Sequence, residues 1–241
     1  MTSIRSRVGW HDPVDDAAKV VHRFKLIACI VVWFGSSAVS TACAKVALSM
    51  LAPKVGRVGS CALTITSVQF TAAALAAVAA CVLLRRRPPP AARELVFVSI
   101  AYTLGFLFLN QSLGRLAASF TETVRGLEPL TSFALARLLG ARGSQLVPVT
   151  ATALGVVLCG AALSVWAQPN FDVGGLLLGL LANTAFSARS LLVTLLQDAQ
   201  RKLGGEIDSV SLFAAQHVLG LMLLAPAAYA DEGAVCLAEL G

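Results

Sequence analysis

Charge is what this chain has least of. Asp, Glu, Lys and Arg make up 13% of its 241 residues, against roughly 25% in an ordinary globular domain. That deficit excludes a disordered chain, which is rich in charge and poor in apolar residues, and it excludes the surface of a soluble cytosolic enzyme. The six cysteines (Cys29, Cys43, Cys61, Cys81, Cys159 and Cys236) stand far apart. No spacing among them matches a zinc site, a redox pair or a disulfide scaffold, so they read as small packing residues. The chain also lacks a phosphate-binding P-loop, an HExxH pair and a serine-nucleophile elbow. Nothing in it argues for an enzyme, a metal or a cofactor. The first 25 residues contain no apolar core of the kind a signal peptide needs. Asp12, Asp15 and Asp16 among Arg5, Arg7, Lys19, Arg23 and Lys25 are too acidic for a transit peptide, so this stretch reads as a polar extramembrane tail.

What the chain has in abundance is apolar sequence in long runs: 57% of residues are hydrophobic and the mean hydropathy is +0.77. A bilayer core is crossed by about 20 apolar residues of helix. Seven uninterrupted blocks of that order run at 26–52, 59–84, 94–114, 116–139, 146–167, 173–197 and 208–230. Between them lie Pro53-Lys54, the Arg85 to Pro90 run, Gly140 to Gly143, Gln168-Pro169-Asn170 and Gly204-Gly205-Glu206. The third and fourth blocks are separated only at Gly114-Arg115. The expected fold class is all-α, a polytopic transmembrane helical bundle. Trp33 and Trp166 are expected at the membrane interface, and Trp10 in the tail.

The formal net charge is +6, and the positions of the basic residues point to orientation in a lipid bilayer rather than to nucleic acid. Thirteen lie in the tail and in alternate loops on its side, and three (Lys54, Arg57 and Arg115) on the other. The excess of Lys and Arg puts the N-terminus on the cytosolic side. Gly175 and Gly179 form a small-xxx-small pair of the kind that lets membrane helices approach closely.

Lys45, Arg125, Arg189, Glu122 and Glu128 fall inside the blocks. Each charge at bilayer depth costs about 2.5–3.5 kcal/mol even on lenient scales, so each needs a polar environment. At 100° per residue, Glu122, Arg125 and Glu128 share about a third of the helix circumference. Thr121 and Ser132 lie in the same stripe as Arg125. One reading is an ion ladder with Arg125 between two glutamates. The other begins from the surplus of one cation, which invites an anion, and a guanidinium fork suits phosphate. Pro129 removes a hydrogen bond to the carbonyl of Arg125 and is expected to kink the helix there, a device found at transporter sites. Asn110 and Asn183 read as interhelical hydrogen bonds.

The runs Tyr102-Thr103-Leu104-Gly105, Asn110-Gln111-Ser112-Leu113-Gly114 and Ser119 to Pro129 resemble the triose-phosphate translocator family, in the drug/metabolite transporter superfamily beside nucleotide-sugar transporters. Phe171 to Gly175, and Ala182-Asn183 through Arg189-Ser190, are similar to that family's sixth-helix signature. Gln69-Phe70, Ala225-Pro226 and Glu232-Gly233 also fit, so the resemblance covers roughly 26–235.

The resemblance implies ten helices in two inverted five-helix halves. It implies exchange of a phosphorylated sugar or other organophosphate for phosphate, or of a nucleotide sugar for its nucleotide, with an anionic small molecule as the substrate. Arg125 stands where plastid members carry a phosphate-contacting Lys. Phe106 and Glu122 stand where those members have His. Lys45 and Arg189 match a frequent first-helix Lys and a sixth-helix Arg. The expected substrate-binding set is therefore Arg125, Lys45, Glu122, Thr121 and Arg189. On this scheme residues 1–25 are the tail, 26–167 a first five-helix repeat, 168–235 the first two helices of a second, and 236–241 a short tail. The fold is then C-terminally incomplete, lacking the ninth helix whose Lys-Arg pair completes the family's phosphate site. The alternative is a truncated, non-transporting membrane protein of the same fold that serves as a structural or interaction partner. An endomembrane (Golgi or ER) or a plastid envelope would suit either.

Overall fold

The computed structural model describes residues 13–55, 61–89, 93–140, 147–166 and 171–231. Trp10, Arg57, Arg142, Cys236, Gln168-Pro169-Asn170 and Glu232-Gly233 lie outside them. The described residues form eight helices and no strand: α1 (Pro13–Val55), α2 (Ala62–Leu83), α3 (Arg93–Arg115), α4 (Ala118–Arg125), α5 (Glu128–Leu138), α6 (Pro148–Trp166), α7 (Val173–Lys202) and α8 (Ser209–Asp231). Six of them contain stretches long and apolar enough to cross a membrane. In a bilayer, backbone groups find no water, and the helix is the element that satisfies them within one segment.

Two differences from the expected blocks have local causes. α1 begins at Pro13, so the polar stretch is helical from there on; proline is favoured in a first turn. The block at 116–139 is not one helix. α4 ends at Arg125, the Leu127 amide donates to the Val124 carbonyl at 3.0 Å in a 3₁₀ turn, and Pro129 lies in the first turn of α5. The missing N–H of Pro129 thus yields a full break where a kink was expected.

Helix ends are locally determined. Asp172 accepts from the Gly174 amide at 2.8 Å to cap α7. Asp208 accepts from the Ser211 amide at 3.0 Å to start α8. Gly140 and Gly204 adopt positive φ just past α5 and α7, where a β-carbon would be strained.

Residues 1–43 and 44–241 form two units. Within the first, Phe24, Ile27, Val31, Val32, Trp33 and Phe34 are all exposed, as suits a lipid-facing helix. In the second, Ala44 and Leu48 pack with Cys61, Ile65 and Leu113. Cys61 is disulfide-bonded, which corrects the reading of every cysteine as a solitary packing residue. Pairing requires the fold to bring two β-carbons within about 4 Å, and spacing along the chain does not show that. Cys29, Cys43, Cys81 and Cys159 are free thiols.

The most extensive helix packing in the second unit, among the described residues, is α3 against α7, followed by α2 against α8. Ser112 Oγ donates to the Gly175 carbonyl at 2.8 Å. A β-carbon on Gly175 would stand 2.6 Å from Leu116 Cγ, and one on Gly179 2.8 Å from Val124 Cγ1. The small-xxx-small pair is therefore what allows α7 to seat on α3 and α4. At the second crossing, a β-carbon on Gly220 would stand 2.4 Å from the ring of Phe70. Asn110 Nδ2 joins α3 to α2 by donating to Thr66 Oγ1 at 2.8 Å and Gln69 Oε1 at 2.9 Å.

Overpacking a close site costs about 1–3 kcal/mol. Gly179→Val is expected to lower the melting temperature of the detergent-purified protein accordingly. Gly155→Val, at a position with open space around it, makes the same change in helix propensity and is expected not to lower the melting temperature. Equal losses would show that the α7 crossing is not a packing constraint.

Candidate functional site

The three cations within the apolar blocks find three different kinds of partner. Lys45 Nζ donates to the carbonyls of Leu113 and Leu116 at 2.7 and 2.8 Å. These are the terminal carbonyls of α3, where a cation meets the negative end of the helix dipole. Its geometry is that of a helix cap. Arg125 Nη1 lies 3.1 Å from both carboxylate oxygens of Glu122, one turn back on α4. That is one rung of the ion ladder. Glu128 stands instead in the first turn of α5, where a carboxylate suits the helix N-terminus. Thr121 is fully buried, and its hydroxyl donates to the Ala117 carbonyl at 3.2 Å.

Arg189 is held differently. Its Nε and Nη2 both donate to Gln216 Oε1, at 3.1 and 3.0 Å, and its Cζ lies 5.2 Å from the centroid of the Tyr102 ring. An amide oxygen and a π face hold a guanidinium in place, but neither carries a formal charge. Among the described residues Arg189 has no carboxylate partner. Its positive charge is oriented without being neutralised.

The surroundings add to this. Gln216 is wholly buried, and its Nε2 has no hydrogen-bond partner among the described residues. Because Oε1 accepts from a guanidinium, the amide orientation is decided and Nε2 is a donor available to an acceptor. Such a group left dry costs about 1–3 kcal/mol. His217 Nδ1 lies 2.8 Å from the Phe213 carbonyl, which only accepts, so Nδ1 carries the proton. His217 Nε2 then faces the Tyr102 hydroxyl at 3.4 Å as an acceptor. Phe70, Tyr102, Phe106 and Phe186 interleave around these groups with centroids 5.0–6.3 Å apart. Four helices meet there: α2, α3, α7 and α8.

α7 connects this cluster to the broken helix. Asn183 Nδ2 donates to the Val124 carbonyl at 2.6 Å, next to the break that separates α4 from α5. Its Oδ1 is buried and without a partner among the described residues. One turn on, Ser187 Oγ lies 2.9 Å from Thr131 Oγ1 and 2.8 Å from Ser132 Oγ. Arg189 follows. The structure thus groups Arg125, Glu122 and Thr121 at the break and Lys45 at the end of α3. Arg189 lies in a cluster of its own. Sequence reasoning missed Gln216, His217 and Tyr102 as its companions. The adjacent polar pair Gln216-His217 inside the last apolar block was the available signal.

The described fold is that of a multi-pass helical membrane protein, with an un-neutralised cation inside one of its apolar helices. The chain belongs to the Triose-phosphate Transporter family, which it matches over residues 24–240. It is 30% identical over 136 residues to phosphoenolpyruvate/phosphate translocator 1, chloroplastic, of Oryza sativa subsp. japonica, covering 56% of this chain and 32% of that protein. It is 28% identical over 136 residues to the non-green plastid triose phosphate/phosphate translocator of Brassica oleracea var. botrytis, covering 56% and 33%. To glucose-6-phosphate/phosphate translocator 1, chloroplastic, of Arabidopsis thaliana it is 26% identical over 141 residues, covering 58% and 34%. The chain matches about a third of the length of these relatives.

Hydrogen bonds to a charged group contribute about 1.5–3 kcal/mol. Gln216→Leu removes both bonds to Arg189 and is expected to lower stability by about that amount, read as a fall in melting temperature. In the double variant Arg189→Leu with Gln216→Leu, the loss is expected to shrink, because no cation is then left unsolvated. Additive losses would show that the two side chains are not coupled.

Proposed function

We propose that this chain is part of a carrier that exchanges a phosphorylated organic anion for inorganic phosphate by alternating access. The observation that carries the reading is Arg189, which is held by neutral Gln216 and Tyr102 and so keeps its charge for a ligand. Its remaining N–H groups and the free Gln216 Nε2 are donors of the kind a phosphate accepts from. The printed names of the relatives, which pair phosphoenolpyruvate, triose phosphate or glucose 6-phosphate with phosphate, support the substrate class.

In this reading Arg189 is the first phosphate contact. Arg125, on the broken helix and charge-balanced by Glu122, becomes a contact when that pair opens, and Glu122 tunes its strength. Thr121 holds the α4 face in register. Lys45 supports the site by fixing the end of α3. The break at Gly126-Leu127 is the flexible joint between α4 and α5 during exchange, since Pro129 has no N–H with which to rebuild a continuous helix. The N-terminus faces the cytosol.

Reconstitution into phosphate-loaded liposomes tests this. Uptake of labelled phosphate, or of an organophosphate such as phosphoenolpyruvate, is expected to depend on phosphate inside. Arg189→Gln is expected to lower exchange by at least about 100-fold, as loss of a charged donor at a buried anion site costs upwards of 2–3 kcal/mol. Arg125→Gln is expected to lower it by a smaller factor. Exchange that survives Arg189→Gln overturns the assignment. Absence of any exchange, with phosphate or with a nucleotide and its sugar, returns the buried charges to a purely structural role.

A further inference from the structure

A second basic site lies where the C-terminal end of α2 meets the N-terminal half of α8, on residues other than Gln216 and His217. Between the C-terminal end of α2 and the N-terminal end of α8 there is an open groove of about 460 Å³. Its walls are apolar: Val78, Cys81 and Val82 from α2, and Ala214, Ala215 and Val218 from α8. Its mouth is formed by Arg85 and Arg86 with Pro88 and Pro89.

The position of that mouth follows from length. α2 runs from Ala62 to Leu83, 22 residues, which at 1.5 Å per residue is about 33 Å. That matches the roughly 30 Å of a hydrocarbon core, so Arg85 and Arg86 stand one step past it, at headgroup level. α8 starts at the same level, because Arg86 Nη1 reaches Asp208, the residue before α8, at 3.4 Å. This ion pair ties down one of the two arginines and leaves the other.

Arg85 is the remaining one. It has φ of 49°, in the left-handed region. Around it the Arg86 amide donates to the Cys81 carbonyl at 2.9 Å and the Arg85 amide to that of Val82 at 3.2 Å, the hydrogen-bond pattern of a Schellman ending. Glycine is the residue that this position favours. An arginine there accepts backbone strain and brings a guanidinium over the groove. No ion pair to it occurs among the described residues.

An apolar slot that opens at headgroup level beneath an unpaired guanidinium is complementary to one kind of molecule. We infer that this groove holds an anionic phospholipid, its phosphate on Arg85 and one acyl chain lying between α2 and α8 along Val78, Val82 and Val218. The backbone turn of Arg85 aims the charge, and the Arg86–Asp208 pair fixes the distance between the two helix ends. Arg87, next in the chain, adds to the local positive potential. The groove uses none of the residues assigned to exchange, so the inference stands apart from the transport reading.

Native mass spectrometry of the full chain released from vesicles of mixed phosphatidylcholine and phosphatidylglycerol tests it. Retained phosphatidylglycerol is expected to exceed phosphatidylcholine. Arg85→Gln is expected to lower its retention about fivefold, the value of one basic residue near an anionic surface. Val82→Trp, which fills the slot at an exposed position, is expected to lower it comparably without disturbing the core. Lys25→Gln, a basic residue elsewhere on the chain, is expected to have no effect. Equal retention of both lipids, no response to either groove variant, or the same loss with Lys25→Gln overturns the inference. So does displacement of the lipid by soluble glycerol phosphate, which would make this a site for free phosphate.

Discussion

The polar groups that α7 extends to its neighbours, Asn183, Ser187 and Arg189, depend on how closely that helix approaches α3 and α4. Gly175 and Gly179 remove the β-carbons that would meet Leu116 and Val124, and the Ser112 hydroxyl meets the Gly175 carbonyl in the space so created. Lipid offers little hydrophobic drive for helix association, so contact at backbone distance and hydrogen bonds of this sort hold the bundle. From that seat α7 extends Asn183 to the broken helix, Ser187 to the hydroxyls of α5, and Arg189 to Gln216. Had either glycine been larger, each of these reaches would lengthen, and buried polar atoms would lose their partners.

The same rule of polar satisfaction explains the different roles of the three cations. Lys45 is consumed by the carbonyls that end α3, and Arg125 by a carboxylate on its own helix. Arg189 is positioned by groups that leave its charge intact. A membrane protein that needs only stability gains more from a carboxylate or an apolar residue at such a place. Keeping the charge is useful where an anion is to arrive. On the proposed carrier reading Arg189 therefore leads rather than Arg125, although Arg125 occupies the position that family resemblance points to. The relatives' names suit either residue, since both can meet a phosphate.

Much of the fold was legible because it rests on local signals. Apolar runs of bilayer length, the glycine pair and the breaker Pro129 act within a few residues of themselves, whereas the caps Asp172 and Asp208 emerged only with the structure. The depth of the break at Gly126-Leu127 was less legible, because the Val124 carbonyl there also accepts from Asn183 of another helix, a tertiary contact that sequence does not display. The site was half legible. A charge in an apolar run announces itself, so Arg125, Arg189 and Lys45 all stood out as candidates. Their partners are tertiary facts: Lys45 meets carbonyls nearly seventy positions along the chain, and Gln216 reaches Arg189 from the next helix. Gln216 and His217 are uncharged polar groups and stood out less than the charges. The cysteine pairing at Cys61 was invisible for the same reason.

The central claim is that Arg189 carries an uncompensated charge meant for an anion. Gln216→Glu tests it most directly, because it keeps the shape of the partner and adds the missing negative charge. Titration of the purified variant with inorganic phosphate, followed by calorimetry and by thermal shift, gives binding and stability together. The account predicts that the variant folds and melts no lower than the wild type, while phosphate binding is lost. Undiminished phosphate binding in Gln216→Glu would contradict it.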